Sequence, residues 1–264
     1  VFFVILPLVF WKKDIKYYSI AIVVGTLGVC MTYQAIVGIF PMIVIFLVMK
    51  NWGEKKECIK RAIISMIIFG LTLLVFQKFL MIPRDLYVSN SLPSLQDYIP
   101  ETFKHLGQYF SLLITDFKAL WLTVIVILVL IFEVLFVKNS ERSKIISVAV
   151  SLCGTLLMAL CVFIIYASLA MPLFAPRAMY GVGIFLAVIS VYVVDSAKAL
   201  TILKVPVLVL SWCFFVFALT YGNALKEQDE YRDMKIDMVM GDLNALEVMQ
   251  TNNVKTIQAV GDVG

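Results

Sequence analysis

Eight strongly apolar stretches follow one another from Val1 to Tyr221, and they constrain this chain more than any other feature. A helix that crosses a bilayer satisfies its own backbone hydrogen bonds, and about 20 apolar residues cover the hydrocarbon core. Hydrophobic residues make up 62% of the sequence and charged residues 15%, which lies outside the range of soluble domains. We therefore predict an all-α, polytopic membrane bundle over residues 1–221. The predicted spans are Val1–Phe10, Tyr17–Tyr33, Ala35–Met49, Arg61–Ile82, Ala119–Val137, Ile145–Ala170, Ala178–Val194 and Val205–Tyr221.

The positive charges are concentrated in every second gap between these stretches. If the spans alternate, 13 of the 22 Lys and Arg residues fall on one side, and the positive-inside rule assigns that side to the cytoplasm. The net charge of +4 is then a signal of orientation and does not indicate a nucleic-acid partner. The 13 residues are Lys12, Lys13, Lys16, Lys50, Lys55, Lys56, Lys60, Arg61, Lys138, Arg142, Lys144, Lys198 and Lys204.

One uncharged stretch of 33 residues, Tyr17 to Met49, has basic residues at both ends. Both flanks should therefore be cytoplasmic, yet two full spans need roughly 40 residues. We predict a short helix pair whose bend, near Tyr33 and Gln34, lies below the outer membrane surface. A re-entrant loop is the alternative and puts the same residues in the same place. Backbone at that depth must pack against protein or line a water-filled cavity.

The composition changes after Tyr221, where a charged segment begins. We predict a helix over residues 222–246 and a strand over Val254–Val260, which together would start a small extracytoplasmic α/β domain. The first apolar stretch is too short to span, and a lone strand cannot form a stable sheet. We therefore expect a longer parent protein that begins before Val1 and continues past Gly264.

A 36-residue outer loop, Pro83 to Lys118, separates the fourth and fifth spans. Pro100 is a good first residue for a helix in its second half. His105, the only histidine, falls on the polar side of that helix and is either a structural residue or a catalyst. The helix itself is either interfacial, with its apolar stripe in the membrane, or a lid packed on the bundle. The stripe consists of Phe103, Leu106, Phe110, Leu113 and Phe117.

Three further charged residues on the predicted outer side are candidates for substrate contacts. Arg84 and Asp85 lie at the outer end of a span, where they would bind an anionic head group and an acceptor hydroxyl, or form a boundary pair. Arg177 is the only charge in the short hairpin between the sixth and seventh spans, and two prolines stiffen that hairpin. A guanidinium binds phosphate through a planar fork, so Arg177 is a candidate for lipid-phosphate binding; interfacial anchoring is the alternative.

Metal-ligating and redox patterns are missing from the sequence. There is one His among 264 residues and neither a CxxC nor an HExxH motif, so we expect no metal and no cofactor. Glu133 is the only acidic residue within the predicted spans, and Asp195 directly follows the seventh span. They lie near cytoplasmic ends, within reach of water or of Lys138 and Lys198, and we interpret them as boundary charges.

The segment from Tyr221 to Tyr231, continuing to Asp242-Leu-Asn244 after the last span, resembles serotype-converting (Gtr-type) membrane O-antigen glucosyltransferases. The bend at Tyr33-Gln34-Ala35 and the turn at Pro176-Arg177 are similar to that family as well. The resemblance implies a GT-C-like enzyme in the bacterial inner membrane. It would transfer a glucosyl unit from a polyprenyl-phosphate sugar to O-antigen of lipopolysaccharide, or to another surface polysaccharide.

The family usually carries acidic catalytic residues in its first outer loop, which would precede Val1 in the parent protein. Within this chain, Asp85 and His105 are the candidates for acid–base chemistry, and Arg177, Tyr33, Gln34 and Arg84 are the candidates for substrate binding. Two other functions are alternatives: a flippase or transporter of lipid-linked sugars, and an O-antigen polymerase.

Overall fold

The computed structural model describes residues 2–32, 34–51, 55–80, 93–94, 96–174, 179–198 and 200–245. These residues are 87% helical and contain no strand. The predicted strand at 254–260 lies outside them. The helices are α1 (Phe2–Val9), α2 (Ile15–Thr32), α3 (Ile39–Lys50), α4 (Lys55–Val75), α5 (Tyr98–Asp116), α6 (Ala119–Asn139), α7 (Lys144–Ala167), α8 (Tyr180–Ser196) and α9 (Val205–Ala245).

Each of the eight predicted spans corresponds to one helix. Five helical stretches are long and apolar enough to cross a membrane, namely those containing α2, α4, α6, α7 and α9. Helices α3 and α8 are apolar but shorter, with 12 and 17 residues. Large apolar side chains of α4 are exposed at regular helical spacing, at Ile63, Ile67, Leu71 and Leu74. Such a surface is unsuited to water and suits lipid. The chain is a multi-pass membrane protein, and the part of it that the structure describes is all-α.

The chain divides into two compact units, Val1–Leu210 and Ser211–Gly264. In the first unit, α3 lies at the centre and packs on α7, α4 and α8, and seven of its 12 residues are buried. In the second unit, the described residues are the continuation of α9, and none of them is buried. Helix α9 runs unbroken through the change in composition at Tyr221, and Lys226 and Glu230 form an i,i+4 pair with Nζ and Oε1 3.4 Å apart.

Contacts within the first unit bring the predicted basic gaps to one end of the bundle, here called the basic end. Arg61 donates to the carbonyls of Trp11 and Lys13, at 2.6 and 3.0 Å. Arg142 donates to the Met49 carbonyl at 3.0 Å. The Lys50 Nζ lies 3.6 Å from an oxygen of Asp195. These contacts connect all four basic gaps, as the alternation of spans predicts.

Glu133 and Asp195, which were predicted to be boundary charges, have partners that are remote in the sequence. The Asp195 side chain is 70% exposed and reaches water, as predicted. Asp195 lies beside Lys50 rather than Lys198, because the end of α3 reaches the end of α8. Glu133 accepts a hydrogen bond from the Thr155 hydroxyl of α7 at 2.6 Å, since α6 and α7 pack together at that level. Tertiary packing therefore supplied partners that neighbours in the sequence did not.

Candidate functional site

The end of α7 opposite the basic end carries the two predicted site residues that the structure describes. Gln34 belongs to a short 3-10 turn, Gln34–Ile36, and His105 belongs to α5. The other candidates lie outside the described residues. They are Tyr33, Arg84, Asp85 and Arg177.

The helical structure is interrupted between α2 and α3, at the place where the charge pattern predicts a bend. Helix α2 ends at Thr32 and the 3-10 turn follows at Gln34. Gly38 then passes so close to the Cys161 carbonyl of α7 that a Cβ atom there would collide with the backbone. Cys161 precedes the end of α7 by six residues, so the bend lies roughly 9 Å below that end at about 1.5 Å per residue. Its backbone packs on protein, as a sunken turn requires.

Helix α5 forms where the outer loop predicts it and begins at Tyr98, two residues before Pro100. Ser94 and Asp97 organise its start: the Ser94 hydroxyl donates to the Asp97 carboxylate at 2.7 Å, and the Ser94 carbonyl accepts the Tyr98 amide at 2.8 Å. Pro100 lies in the first turn, where its missing amide hydrogen costs no helical hydrogen bond. The irregular half of the loop thus gives way to a regular helix of 19 residues.

The predicted apolar stripe of α5 does not lie on one surface. Leu106 is buried against the bundle, whereas Phe103 is 66% exposed. The remaining three members of the stripe are half-buried. The helix is rotated from the predicted orientation because Thr102, Leu106 and Tyr109 form the packed face. A second apolar face, with Ile99 and Ile114, stays exposed. Helix α5 therefore combines features of both predicted alternatives, a packed face and an exposed apolar face.

His105 is half-buried where α5 meets the end of α7, although the helical pattern puts it on the polar side of α5. Its Nδ1 atom lies 2.9 Å from the carbonyl oxygen of Ala167, the last residue of α7. A carbonyl only accepts, so Nδ1 carries the hydrogen and Nε2 holds the lone pair in the neutral ring. The ring also contacts Phe174 edge-on, with centroids 5.9 Å apart. The tautomer and the orientation of His105 are thus both fixed by α7 and the segment after it.

Tyr109 is the centre of the contact between α5 and α7 and is fully buried. Its ring stacks on Phe163 of α7, with centroids 4.9 Å apart and planes 5° from parallel. Its hydroxyl donates to the Leu173 carbonyl at 2.9 Å, and its ring lies 4.7 Å from that of Phe174. The sequence offered one signal for this residue: Tyr109 follows His105 by four positions, so both must share a helix face. The residues that meet it are remote in sequence.

The described residues include no group of three or more His, Cys, Asp or Glu side chains able to hold a metal ion. The polar side chains near this end include the half-buried His105 and Gln34 and the fully buried Tyr109. An imidazole is suited to proton transfer, and an amide is suited to hydrogen bonding with hydroxyls. Comparison of the chain with protein-family models, curated proteins and solved structures gives no match.

Proposed function

We propose that the protein is a membrane glycosyltransferase of GT-C-like fold. In this proposal it transfers a hexosyl unit, glucose by the resemblance stated above, from a polyprenyl-phosphate sugar to O-antigen or another surface polysaccharide. The reaction takes place at the α5 end of the bundle, on the outer face of the bacterial inner membrane. The chain after α9 continues into an extracytoplasmic α/β domain in the same proposal.

The observation that carries this proposal is the docking of α5 at the end of α7. A lipid-linked sugar presents its phosphate and sugar at the membrane interface, so its enzyme needs polar groups at that depth. His105 and Tyr109 contact the end of α7 and the residues just after it. The exposed apolar face of α5 supports a position at the interface. The sunken bend at Gln34 supports a recess beside it, since α7 carries both features.

In the proposed reaction, the acceptor hydroxyl loses its proton to a base while its oxygen bonds to the anomeric carbon of the sugar. The bond between that carbon and the phosphate oxygen breaks, and polyprenyl phosphate leaves with the bonding electron pair. His105 is a candidate base because its Nε2 is free of the proton in the neutral tautomer. Asp85 is the second candidate. Arg177 and Arg84 would contact phosphate, and Tyr33 with Gln34 would line the sugar cavity.

The first test separates the chemical role of His105 from its structural role in the full-length protein. Asn at position 105 can donate to the Ala167 carbonyl in place of Nδ1, but it has no counterpart of Nε2. We expect His105→Asn to keep normal membrane expression and thermal stability, and to lower the transfer rate at least 100-fold, the usual scale of general-base catalysis. Gln108→Ala, an exposed change on the same helix, is the control. Full activity of His105→Asn would leave the histidine a structural residue.

The reaction itself is tested by mass spectrometry of the surface polysaccharide from cells with and without the intact gene. The proposal predicts one additional hexose per modified repeat when the gene is present. An unchanged glycan mass with altered transport of lipid-linked sugar would support a flippase instead. A change in chain length with an unchanged repeat mass would support an O-antigen polymerase.

A further inference from the structure

At the basic end, at the other end of α7 from His105, α6 and α7 enclose an open groove of about 580 Å³. Its walls are apolar side chains of both helices, including Val134, Val148 and Leu152, which are themselves well exposed. The groove therefore opens toward the surroundings of two membrane-spanning helices. We call it the α6–α7 groove.

Three cations line the mouth of the α6–α7 groove: Lys138 at the end of α6, Arg142 in the turn, and Lys144 at the start of α7. Both lysines are exposed. Arg142 is held in place by its bond to the Met49 carbonyl and by the ring of Phe136, 5.9 Å from its guanidinium carbon. The mouth thus combines two exposed lysines with an arginine whose guanidinium is held by neighbouring residues.

Burial lowers the pKa of the Arg142 guanidinium below its ordinary value. This is the effect of losing water around a cation. An anion beside the guanidinium would replace the lost hydration by a charge-assisted hydrogen bond, and the planar fork suits phosphate oxygens.

Among the described residues that line the groove, Glu133 is the only acidic one, and it lies five residues before Lys138 on α6. At about 1.5 Å per residue this places it roughly 7 Å deeper than the lysine. Its carboxyl group is held by Thr155 at 2.6 Å. The three cations therefore lie at the mouth of the groove, and apolar side chains such as Val134, Val148 and Leu152 line the deeper part.

We propose that the α6–α7 groove binds an anionic glycerophospholipid, with the phosphate at the three cations and an acyl chain along the apolar walls. The separation of charge from apolar wall matches the separation of head group from acyl chain in such a lipid. Basic pockets between membrane-spanning helices bind anionic head groups in general. The site lies at the opposite end of α7 from the proposed transfer site, so its test does not depend on that function.

The experiment measures lipid binding to the full-length protein in detergent by native mass spectrometry. Dioleoylphosphatidylglycerol is the probe, and dioleoylphosphatidylcholine, with the same acyl chains and no net charge, is the comparison lipid. Lys138→Ala/Lys144→Ala removes two charges from the groove. Lys12→Ala/Lys13→Ala removes two exposed charges from the same end of the bundle outside the groove and is the matched control.

We expect the groove variant to weaken phosphatidylglycerol binding roughly 30-fold, the effect of two lysines near a bilayer surface, and the control to change it less than threefold. Wild type should prefer phosphatidylglycerol to phosphatidylcholine. Equal losses in the two variants, or equal binding of the two lipids, would overturn the proposal. The proposal would also be overturned if glycerol 3-phosphate displaced bound phosphatidylglycerol as strongly as the free lipid does. The site would then recognise a soluble phosphate and not a lipid.

Discussion

At both ends of the first unit, side chains donate hydrogen bonds to backbone carbonyls, but the donors are of different kinds. At the basic end, Arg142 donates to the Met49 carbonyl in the last turn of α3, and Arg61 donates to the Trp11 and Lys13 carbonyls between α1 and α2. At the α5 end, His105 donates to the carbonyl of Ala167, the last residue of α7, and Tyr109 donates to the carbonyl of Leu173, six residues later. The last carbonyls of a helix have no partner within the helix, so Arg142 and His105 each supply a side-chain donor to one of them.

The difference lies in the kind of donor. Guanidinium groups serve the basic end, whereas an imidazole and a phenol, packed among aromatic neighbours, serve the α5 end. Cations are favoured on the cytoplasmic side of a membrane protein, and aromatic residues are enriched at its interfaces. Each end thus uses donors of the kind that the predicted orientation favours there. Arg142 both caps α3 and adds to the positive charge that predicts the orientation.

The strongest prediction concerns the sides on which the two ends lie. In a cysteine-free background, Lys104→Cys on α5 should react with a membrane-impermeant thiol reagent in intact cells, and so should Asn244→Cys on α9. Lys138→Cys at the basic end should react only after permeabilisation, because positive gaps stay in the cytoplasm. All three side chains are exposed. Labelling of Lys138→Cys in intact cells would invert the arrangement.

The next largest effect should come from removing a charged donor at the basic end. The Arg61 side chain is 16% exposed and donates to Trp11, Lys13 and Glu57. Arg61→Met keeps much of the bulk but leaves these carbonyls without the guanidinium, so we expect a loss of about 3 kcal/mol in the free energy of unfolding.

Lys60→Met is the control for that measurement, since Lys60 is exposed and adjacent. It should change the free energy of unfolding by less than about 0.5 kcal/mol. Both variants are compared by denaturant unfolding in the same detergent. Equal stability of the two would mean that the guanidinium bonds add nothing at this end.

A smaller loss is expected from the corresponding change at the α5 end. Tyr109→Phe keeps the stack on Phe163 and removes only the bond to the Leu173 carbonyl. A neutral hydrogen bond of this kind contributes about 1 kcal/mol, so the unfolding free energy should fall by that amount. Tyr98→Phe, at an exposed tyrosine of the same helix, should have almost no effect. A loss at Tyr109 as large as that at Arg61 would remove the contrast between the ends.

Much of the fold could be predicted because a membrane-spanning helix is encoded by the hydrophobicity of its own segment. Apolar stretches of about the length that a bilayer requires predict helices such as α6 to within two residues at each end. The positive charges predict that the four basic gaps lie at the same end of the bundle. The uncharged stretch from Tyr17 to Met49 is only 33 residues long, and this length predicts the break after Thr32. Helix α4 shows the limit: it begins at Lys55, not Arg61, because helices extend beyond their apolar segment where polar side chains can reach water.

The face of α5 could not be predicted in the same way. Its sequence contains two apolar stripes, one through Leu106 and Tyr109 and one through Ile99, Phe103 and Ile114. Either stripe would make a stable amphipathic helix. The choice depends on the shape of the end of α7 and on the ring of Phe163, and neither is visible from α5 alone.

The sequence by itself determined that this chain is a bundle of membrane helices and which gaps meet at one end, since both follow from local hydrophobicity and charge. Only the tertiary structure decided that α3 is the buried centre, that Glu133 faces Thr155 and that His105 faces the Ala167 carbonyl. The physical reason is that the ability of a segment to span a bilayer depends on the summed hydrophobicity of its own residues. Facing a partner depends on the rotation of two helices against each other, and residues far apart in the chain set that rotation.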